Sequence, residues 1–120
     1  MNQKLSQDDR IAVMTFSSVY PHYVEKVTKK GRTVQELHQV IQWLTGLNEK
    51  EIQHAIDNQL TFKEFFEQSS LNENAKLIQG VICGYRIEEL QNPLTKQVRM
   101  LDKLVDELSK GRSIEKILRQ

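Results

Sequence analysis

Histidines, carboxylates and one cysteine are the residues of this 120-residue chain whose types and spacing could do chemistry. Glu51 and His54 have the Glu-x-x-His spacing found in the di-iron sites of helical bundles. Such a site needs a second copy of the motif and two further carboxylates on facing helices, and the sequence offers only one complete motif. We therefore predict no metal site and no cofactor, and we expect the protein to be isolated metal-free.

The only cysteine, Cys83, is the candidate nucleophile, and Arg86 lies close enough in sequence to activate a thiol if the two side chains meet. However, Cys83 lies within an apolar run, where a lone cysteine usually behaves as a small, buried and inert hydrophobic residue. The sequence contains no nucleophile elbow, P-loop or dinucleotide-binding fingerprint. We therefore assign no catalytic residue and do not expect an enzyme, although an enzyme with an unfamiliar site stays open as a third interpretation.

Positive charge is concentrated in one short stretch, which we call the basic edge. It consists of Lys26, Lys29, Lys30 and Arg32. These side chains can hold a phosphate or an acidic partner, or they can simply complement the end of a helix. The formal net charge of the whole chain is only +1, so its composition does not indicate a polyanionic partner.

Residues 34–58 have the order of a helix-turn-helix, which is a reason to consider DNA binding. The second helix would begin with Glu49, Lys50 and Glu51, and its acidic side chains would repel phosphate at the end that reads bases. We therefore do not expect nucleic-acid binding by this unit. Binding through the basic edge, extended by Arg112, Lys116 and Arg119, is the alternative function.

Three helix starts share one capping pattern, in which Thr or Asn is followed three residues later by Glu. The pairs are Thr33 with Glu36, Asn48 with Glu51, and Thr61 with Glu64. Apolar residues then recur at helical spacing, and Gly46 stands where a left-handed residue would end the first of these helices. These signals predict three consecutive helices.

Both ends of the chain also have helical signals. Residues 1–7 are predicted to form a flexible tail, and residues 8–120 a single domain. A helix from Asp8 or Asp9 is expected to precede Pro21, which is predicted to begin a second helix because its missing N–H costs nothing at that position. Near the C-terminus, Asn92 and Pro93 predict the start of a long helix that ends at about Lys110.

The stretch of residues 77–90 allows two interpretations. As a helix, it places its large apolar residues on one face, with Gly80 and Gly84 forming a notch for another backbone. As a strand, it alternates poorly, contains glycines and lacks an obvious partner strand. We favour the helix.

These elements predict an all-α fold, a single-domain bundle of about six to eight short helices packed at mixed angles. Three segments of the chain then resemble a known family. They are TFSSVYPHYVEKVTKKGRTVQELHQVIQWLTG, GVICGYRIEEL and LDKLVDELSKGRSIEKILR. The sequence is similar over nearly its whole length to the small, uncharacterised bacterial proteins of domain-of-unknown-function family 2200. The resemblance implies a bacterial, single-domain, mostly helical protein, but no activity and no catalytic residues.

Two surfaces are candidates for contact with a partner. The first is a group of aromatic side chains with polar ends and one arginine, beginning beside Pro21. It consists of Tyr20, His22, Tyr23, Arg32 and Trp43. The second is an apolar face with four-three spacing, which can pair with its own copy or pack inside the chain. It consists of Leu94, Val98, Leu101, Val105 and Leu108.

The compartment follows from two features. A single cysteine cannot form an internal disulfide, which indicates a reducing compartment. The N-terminus has no apolar segment typical of a signal peptide, and the longest apolar run is too short to span a bilayer. We therefore expect a cytoplasmic protein without a membrane segment, and its function is best interpreted as a small protein-interaction module.

Overall fold

One long helix near the C-terminus contacts most of the other elements in the computed structural model, which describes residues 6–119. The helices and strands are α1 Gln7–Val13, α2 Phe16–Thr28, α3 Val34–Thr45, α4 Glu49–Asp57, α5 Phe62–Glu67, β1 Val81–Ile82, β2 Tyr85–Arg86, α6 Pro93–Ser109 and α7 Ile114–Ile117. Two 3₁₀ turns, Glu73–Leu77 and Ile87–Glu89, flank the short strands. The mostly all-α fold predicted from the sequence is confirmed.

Helix α6 packs against α1, α2, α3, α5, α7 and β1. It begins as predicted, because Asn92 Oδ1 accepts a hydrogen bond from the Thr95 amide at 3.0 Å and Pro93 occupies the first turn. The predicted apolar face of this helix is directed into the core of the chain: four of its five residues are buried and Leu94 is partly buried. Self-association through this face would therefore require the core to open.

The three predicted capping boxes are all present. In the first, the Glu36 amide donates to Thr33 Oγ1 at 3.1 Å while Glu36 Oε1 accepts from the Thr33 amide at 3.0 Å. Gly46 ends α3 with a φ of 71°, the left-handed conformation that glycine adopts without a Cβ clash. Local capping chemistry therefore positions α3, α4 and α5.

The prediction that Pro21 begins a helix was wrong, because α2 begins upstream at Phe16 and contains Pro21. Thr15 caps α2. The backbone around Thr15 also pairs with the segment before α5 through two hydrogen bonds of 2.8 Å. The Phe16 amide donates to the Leu60 carbonyl, and the Phe62 amide donates to the Met14 carbonyl. This long-range pairing sets the break between α1 and α2. The predicted tail falls largely on residues 1–5, outside the described residues, whereas Ser6 caps α1 and Gln7 begins it.

The helix favoured for residues 77–90 was also wrong, because the central part of this stretch is an antiparallel hairpin. Cys83 and Gly84, between the two strands, have φ values of 52° and 81°. Two consecutive positive φ values are typical of a type I′ turn and are incompatible with a right-handed helix. Gly84 therefore supplies a turn conformation and not a packing notch. Cys83 is exposed at the turn, which corrects the expectation that it is buried.

The aromatic residues of α5 are buried in the core. Phe65 stacks on Phe16 with ring centroids 4.2 Å apart and an interplanar angle of 7°, and Phe62 meets Phe16 edge-on. Trp43 is partly buried against the same core. Within residues 6–119, no helix is long and apolar enough to cross a membrane.

Candidate binding cleft

A cleft of about 400 Å³ lies where α1, α2 and α6 meet, and we call it the binding cleft. Its apolar lining residues are Ile11, Met14, Val19, Phe62 and Val98. Its polar lining residues are Gln7, Arg10, Tyr23, Arg99 and Asp102. A concave, largely apolar surface with a few polar groups is the usual form of a binding site.

Helix α1 is held in place along one side of the binding cleft by side-chain hydrogen bonds to distant parts of the chain. Asp8 Oδ1 accepts from Thr95 Oγ1 of α6 at 2.5 Å, and Gln7 Oε1 accepts from the Tyr85 hydroxyl of the hairpin at 2.6 Å. Gln7 and Arg10 lie three residues apart on one face of α1, and Met14 directly follows the helix. A short helix that would be marginal alone is thereby fixed as a wall of the cleft.

Asp102 joins two other lining residues in a hydrogen-bonded network. Its Oδ1 accepts from the Tyr23 hydroxyl at 2.6 Å, and its Oδ2 accepts from Arg99 Nη1 at 3.1 Å. The side chains of Arg99 and Asp102 are only 14% and 16% exposed. The Arg99 guanidinium also lies over the Tyr85 ring, 5.0 Å from its centroid, a distance at which cation–π attraction operates.

Arg99 uses few of its hydrogen-bond donors. Among the described residues, its one hydrogen bond is the one from Nη1 to Asp102. Its Nε is buried and has no acceptor within the described part of the chain. A guanidinium carries five N–H groups in a planar fork. Because Nε is buried, only the Nη groups of Arg99 can offer donors to an acceptor in the binding cleft.

Tyr23 keeps its hydroxyl proton in this network near neutral pH. Its burial, together with the negative charge of Asp102 and their hydrogen bond, raises the pKa of Tyr23 well above the ordinary value of 10.0. The hydroxyl therefore stays protonated and serves as a donor. Both oxygens of Asp102 accept a hydrogen bond from a neighbouring side chain, which fixes the orientation of the carboxylate in the wall of the cleft.

The five residues predicted as a partner surface make separate contacts, and Tyr23 alone among them lines the binding cleft. Tyr20 contacts His38, and Arg32 pairs with Glu36 at 2.8 Å and donates to the Arg112 carbonyl. His22 is exposed beside the basic edge. Arg99 and Asp102 were not identified from the sequence. Their only signal there is that each directly follows a residue of the apolar face of α6, Val98 and Leu101.

Tyr20, His38 and Glu49 form a second polar chain, in the order hydroxyl, imidazole and carboxylate. Tyr20 Oη lies 2.5 Å from His38 Nε2, and His38 Nδ1 lies 2.8 Å from both carboxylate oxygens of Glu49. This order is that of a nucleophilic triad. Burial and then the charge of Glu49 raise the pKa of Tyr20 above its ordinary value, so its hydroxyl keeps its proton near neutral pH. The chain of contacts ties α2, α3 and α4 together.

The basic edge borders a separate depression of about 390 Å³, whose lining residues are His22, Glu25, Lys26, Lys29, Lys30 and Ser109. Two of its charges are already paired, because Lys26 contacts Asp106 at 3.1 Å and Arg32 contacts Glu36. Arg119 and Arg112, the proposed extension, both contact Glu107, at 2.7 and 3.3 Å. The basic surface is therefore smaller than the sequence indicates.

The Glu-x-x-His pair makes local contacts. Glu51 Oε1 accepts from the Asn48 amide at 3.0 Å, and His54 Nδ1 lies 2.9 Å from Asn58 Nδ2. Within residues 6–119, no three histidine, cysteine or carboxylate side chains lie close enough together to hold a metal ion.

Fold and cleft together describe a small, mostly helical protein with a mixed apolar and polar cleft between its helices. The chain belongs to domain-of-unknown-function family 2200, described as uncharacterised proteins conserved in bacteria, whose family model matches residues 10–119. The resemblance inferred from the sequence is thereby confirmed.

A solved structure, "Crystal structure of uncharacterized protein SP1917", is similar to this chain at 38% sequence identity and a TM-score of 0.86. The match covers 97% of this chain and 94% of that one. No curated protein matches the chain. The family description and the description of this structure state no activity, so function must be argued from the site.

Proposed function

We propose that the protein is a small interaction module without catalytic activity, and that it holds a segment of a partner protein in the binding cleft. The observation that carries this proposal is the exposed apolar surface at the cleft. Met14, which lines the cleft, is 43% exposed, and the adjacent Val13 is 62% exposed. Apolar side chains beside a polar-lined cleft are typical of a surface that a partner covers.

The chemistry of the lining residues supports binding over catalysis. A general base needs a group whose pKa lies near the operating pH, whereas the buried Tyr23 hydroxyl stays protonated because its pKa is raised well above 10.0. Asp102 is occupied by Tyr23 and Arg99. The lining residues therefore offer fixed donors and apolar surface, which orient a partner without transferring a proton.

The test is a tagged pull-down from the native cell that compares two surface variants. Met14→Glu places a charge at the cleft, and Leu77→Glu places the same charge at a similarly exposed apolar residue, 47% exposed, that does not line it. We expect specific partners to be retained by the wild type and by Leu77→Glu and to be lost from Met14→Glu. Identical partner sets for all three proteins would contradict the proposal.

Nucleic-acid association through the basic edge is the second candidate function. The observation in its favour is that Lys29 and Lys30 line the depression and form no ion pair with another residue in the range 6–119. Binding by so few charges should collapse between low and moderate salt. A mobility-shift titration with Lys29→Glu/Lys30→Glu as the control tests it, and the absence of a shift at low salt removes this candidate.

For the compartment, we propose the cytoplasm. The support is that Cys83 is the only cysteine and is exposed as a free thiol, a state that reducing compartments maintain. Localisation of a tagged copy by cell fractionation tests this directly.

A further inference from the structure

We infer that the binding cleft recognises a carboxylate joined to a large apolar side chain, as presented by the C-terminus of a partner protein that ends in such a residue. This inference rests on the proposed function and specifies the chemistry of its partner. Three features of the cleft carry it: the unused donors of Arg99, the charge balance of the lining, and the size of the apolar surface.

Arg99 is the first feature. Its side chain is only 14% exposed, yet it makes only one hydrogen bond to the residues that the structure describes. A buried guanidinium is normally matched by acceptors for most of its donors. Asp102 satisfies one of them, and its second oxygen is taken by Tyr23. Because Nε is buried, the remaining N–H groups of the two Nη atoms are the available donors, and a second carboxylate is an acceptor that suits them.

The charge balance of the lining is the second feature. Two arginines, Arg10 and Arg99, and one aspartate, Asp102, line the binding cleft, which gives it a net charge of +1 from these three residues. Arg10 forms no ion pair with any residue from 6 to 119. An anion is therefore favoured over a neutral or cationic group in this partly enclosed space.

The size of the apolar surface is the third feature. Ligand pockets range from about 300 to 1,000 Å³, and the binding cleft, at about 400 Å³, lies near the lower limit. It therefore holds about one large side chain and its neighbouring group. A docked amphipathic helix would need a longer groove with anchors at several turns. A chain terminus satisfies both requirements, because its last side chain and its carboxylate share one residue.

The experiment is calorimetric titration of the full chain with short peptides. One pair of pentapeptides ends in leucine and another in phenylalanine, and each pair compares a free carboxylate with a C-terminal amide. We expect the free-acid peptides to bind and the amides to bind roughly tenfold more weakly or worse, because a charge-assisted hydrogen bond is lost. Arg10→Gln and Arg99→Gln should each weaken the acid peptide while leaving the amide unchanged.

Controls separate this inference from folding effects and from other sources of carboxylate. Arg86→Gln alters an exposed arginine of the hairpin that does not line the cleft, and it should bind like the wild type. Arg10 is exposed, so Arg10→Gln keeps the test valid if Arg99→Gln fails to fold. Free 4-methylpentanoate carries the same carboxylate and a similar apolar body, and binding as tight as that of the peptide would overturn the choice of a peptide terminus.

The outcomes also separate this inference from the proposed function. Equal binding of acids and amides, weakened by Met14→Glu, would overturn the carboxylate inference and leave the interaction module standing. Failure of every peptide to bind at millimolar concentration would overturn the inference. The proposed function falls with it only if the pull-down is also insensitive to Met14→Glu.

Discussion

His38 joins three helices through its two ring nitrogens. A carboxylate only accepts hydrogen bonds, so Nδ1 is the nitrogen that donates to Glu49, and Nε2 pairs with the Tyr20 hydroxyl. The His38 side chain is only 12% exposed, whereas Glu49 is 62% exposed. The bond to Tyr20 therefore contributes more to folding than the solvent-screened pair with Glu49.

Replacement of His38 should measurably destabilise the fold. His38→Ala leaves the half-buried Tyr20 hydroxyl without its partner, and we expect the free energy of unfolding to fall by about 1–3 kcal/mol. Chemical denaturation measures the change. Gln39→Ala alters an exposed neighbour on the same helix and should stay within about 0.5 kcal/mol of the wild type. Equal stability of the two variants would show that the chain from Tyr20 to Glu49 does not tie the helices.

Tyr23 gives the fold a dependence on alkaline pH. Its folded-state pKa is raised above the ordinary value of 10.0, mainly by burial and then by Asp102. A raised pKa means that the unfolded state loses the proton first, so this contribution to stability is complete below pH 10 and is lost as pH rises beyond it. Tyr23→Phe should remove this part of the loss of stability at alkaline pH. It should also lower the stability near neutral pH, because the hydrogen bond to Asp102 is missing. Denaturation midpoints from pH 8 to 11 measure both effects, and an unchanged slope in Tyr23→Phe would contradict this assignment.

At the scale of elements, the capped helices were predicted well and the hairpin was not. A capping box depends on two residues that are three apart, so the sequence alone predicts the helix starts at Thr33, Asn48 and Thr61. The hairpin depends on backbone conformations that apolar spacing does not encode. Its strands have two residues each, which is too short for an alternating pattern to appear.

Cys83 occupies a turn position that disfavours its side chain. At a φ of 52° a residue with a Cβ is strained by roughly 1–2 kcal/mol, and asparagine tolerates this region better than most residues. Cys83→Asn should therefore raise the free energy of unfolding by up to about 1 kcal/mol. Chemical denaturation measures the gain. Ser17→Asn, outside the turn, is a comparison that should show no such gain, and a loss of stability in Cys83→Asn would argue against the turn.

Thiol reactivity provides an independent check on the same element. Because Cys83 is exposed, a thiol reagent should modify the folded protein about as fast as the unfolded protein. Strong protection in the folded state, relieved by denaturant, is the result expected of a buried cysteine and would contradict the hairpin.

At the scale of the whole molecule, α6 is the central helix of the core. Leu101 is completely buried on this helix, so Leu101→Ala should cost about 2–5 kcal/mol through lost apolar burial and the cavity left behind. Thermal and chemical denaturation measure this loss, and Lys96→Ala on the same helix serves as the control. A small effect of Leu101→Ala would mean that α6 packs less centrally than the structure shows.

The binding cleft was not predicted because it is a product of tertiary packing. Gln7, Tyr23 and Asp102 are far apart in sequence, and they meet only because α1 and α2 both pack against α6. The predicted partner surface joins residues of α2 and α3 and of the loop between them, from Tyr20 to Trp43. Of its five residues, Tyr23 lines the cleft.

The sequence by itself determined the family, the mostly helical class and the helices whose caps and apolar faces lie within a few residues of one another. These properties are local, because a capping box or a helical stripe is complete within about one or two turns. Tertiary structure alone decided where α1 ends and α2 begins, that residues 81–86 turn back as a hairpin, and that Arg99 and Asp102 border a cleft. Each of these features depends on contacts between residues distant in sequence or on positive φ values. Long-range contacts and positive φ values leave no periodic pattern in the sequence.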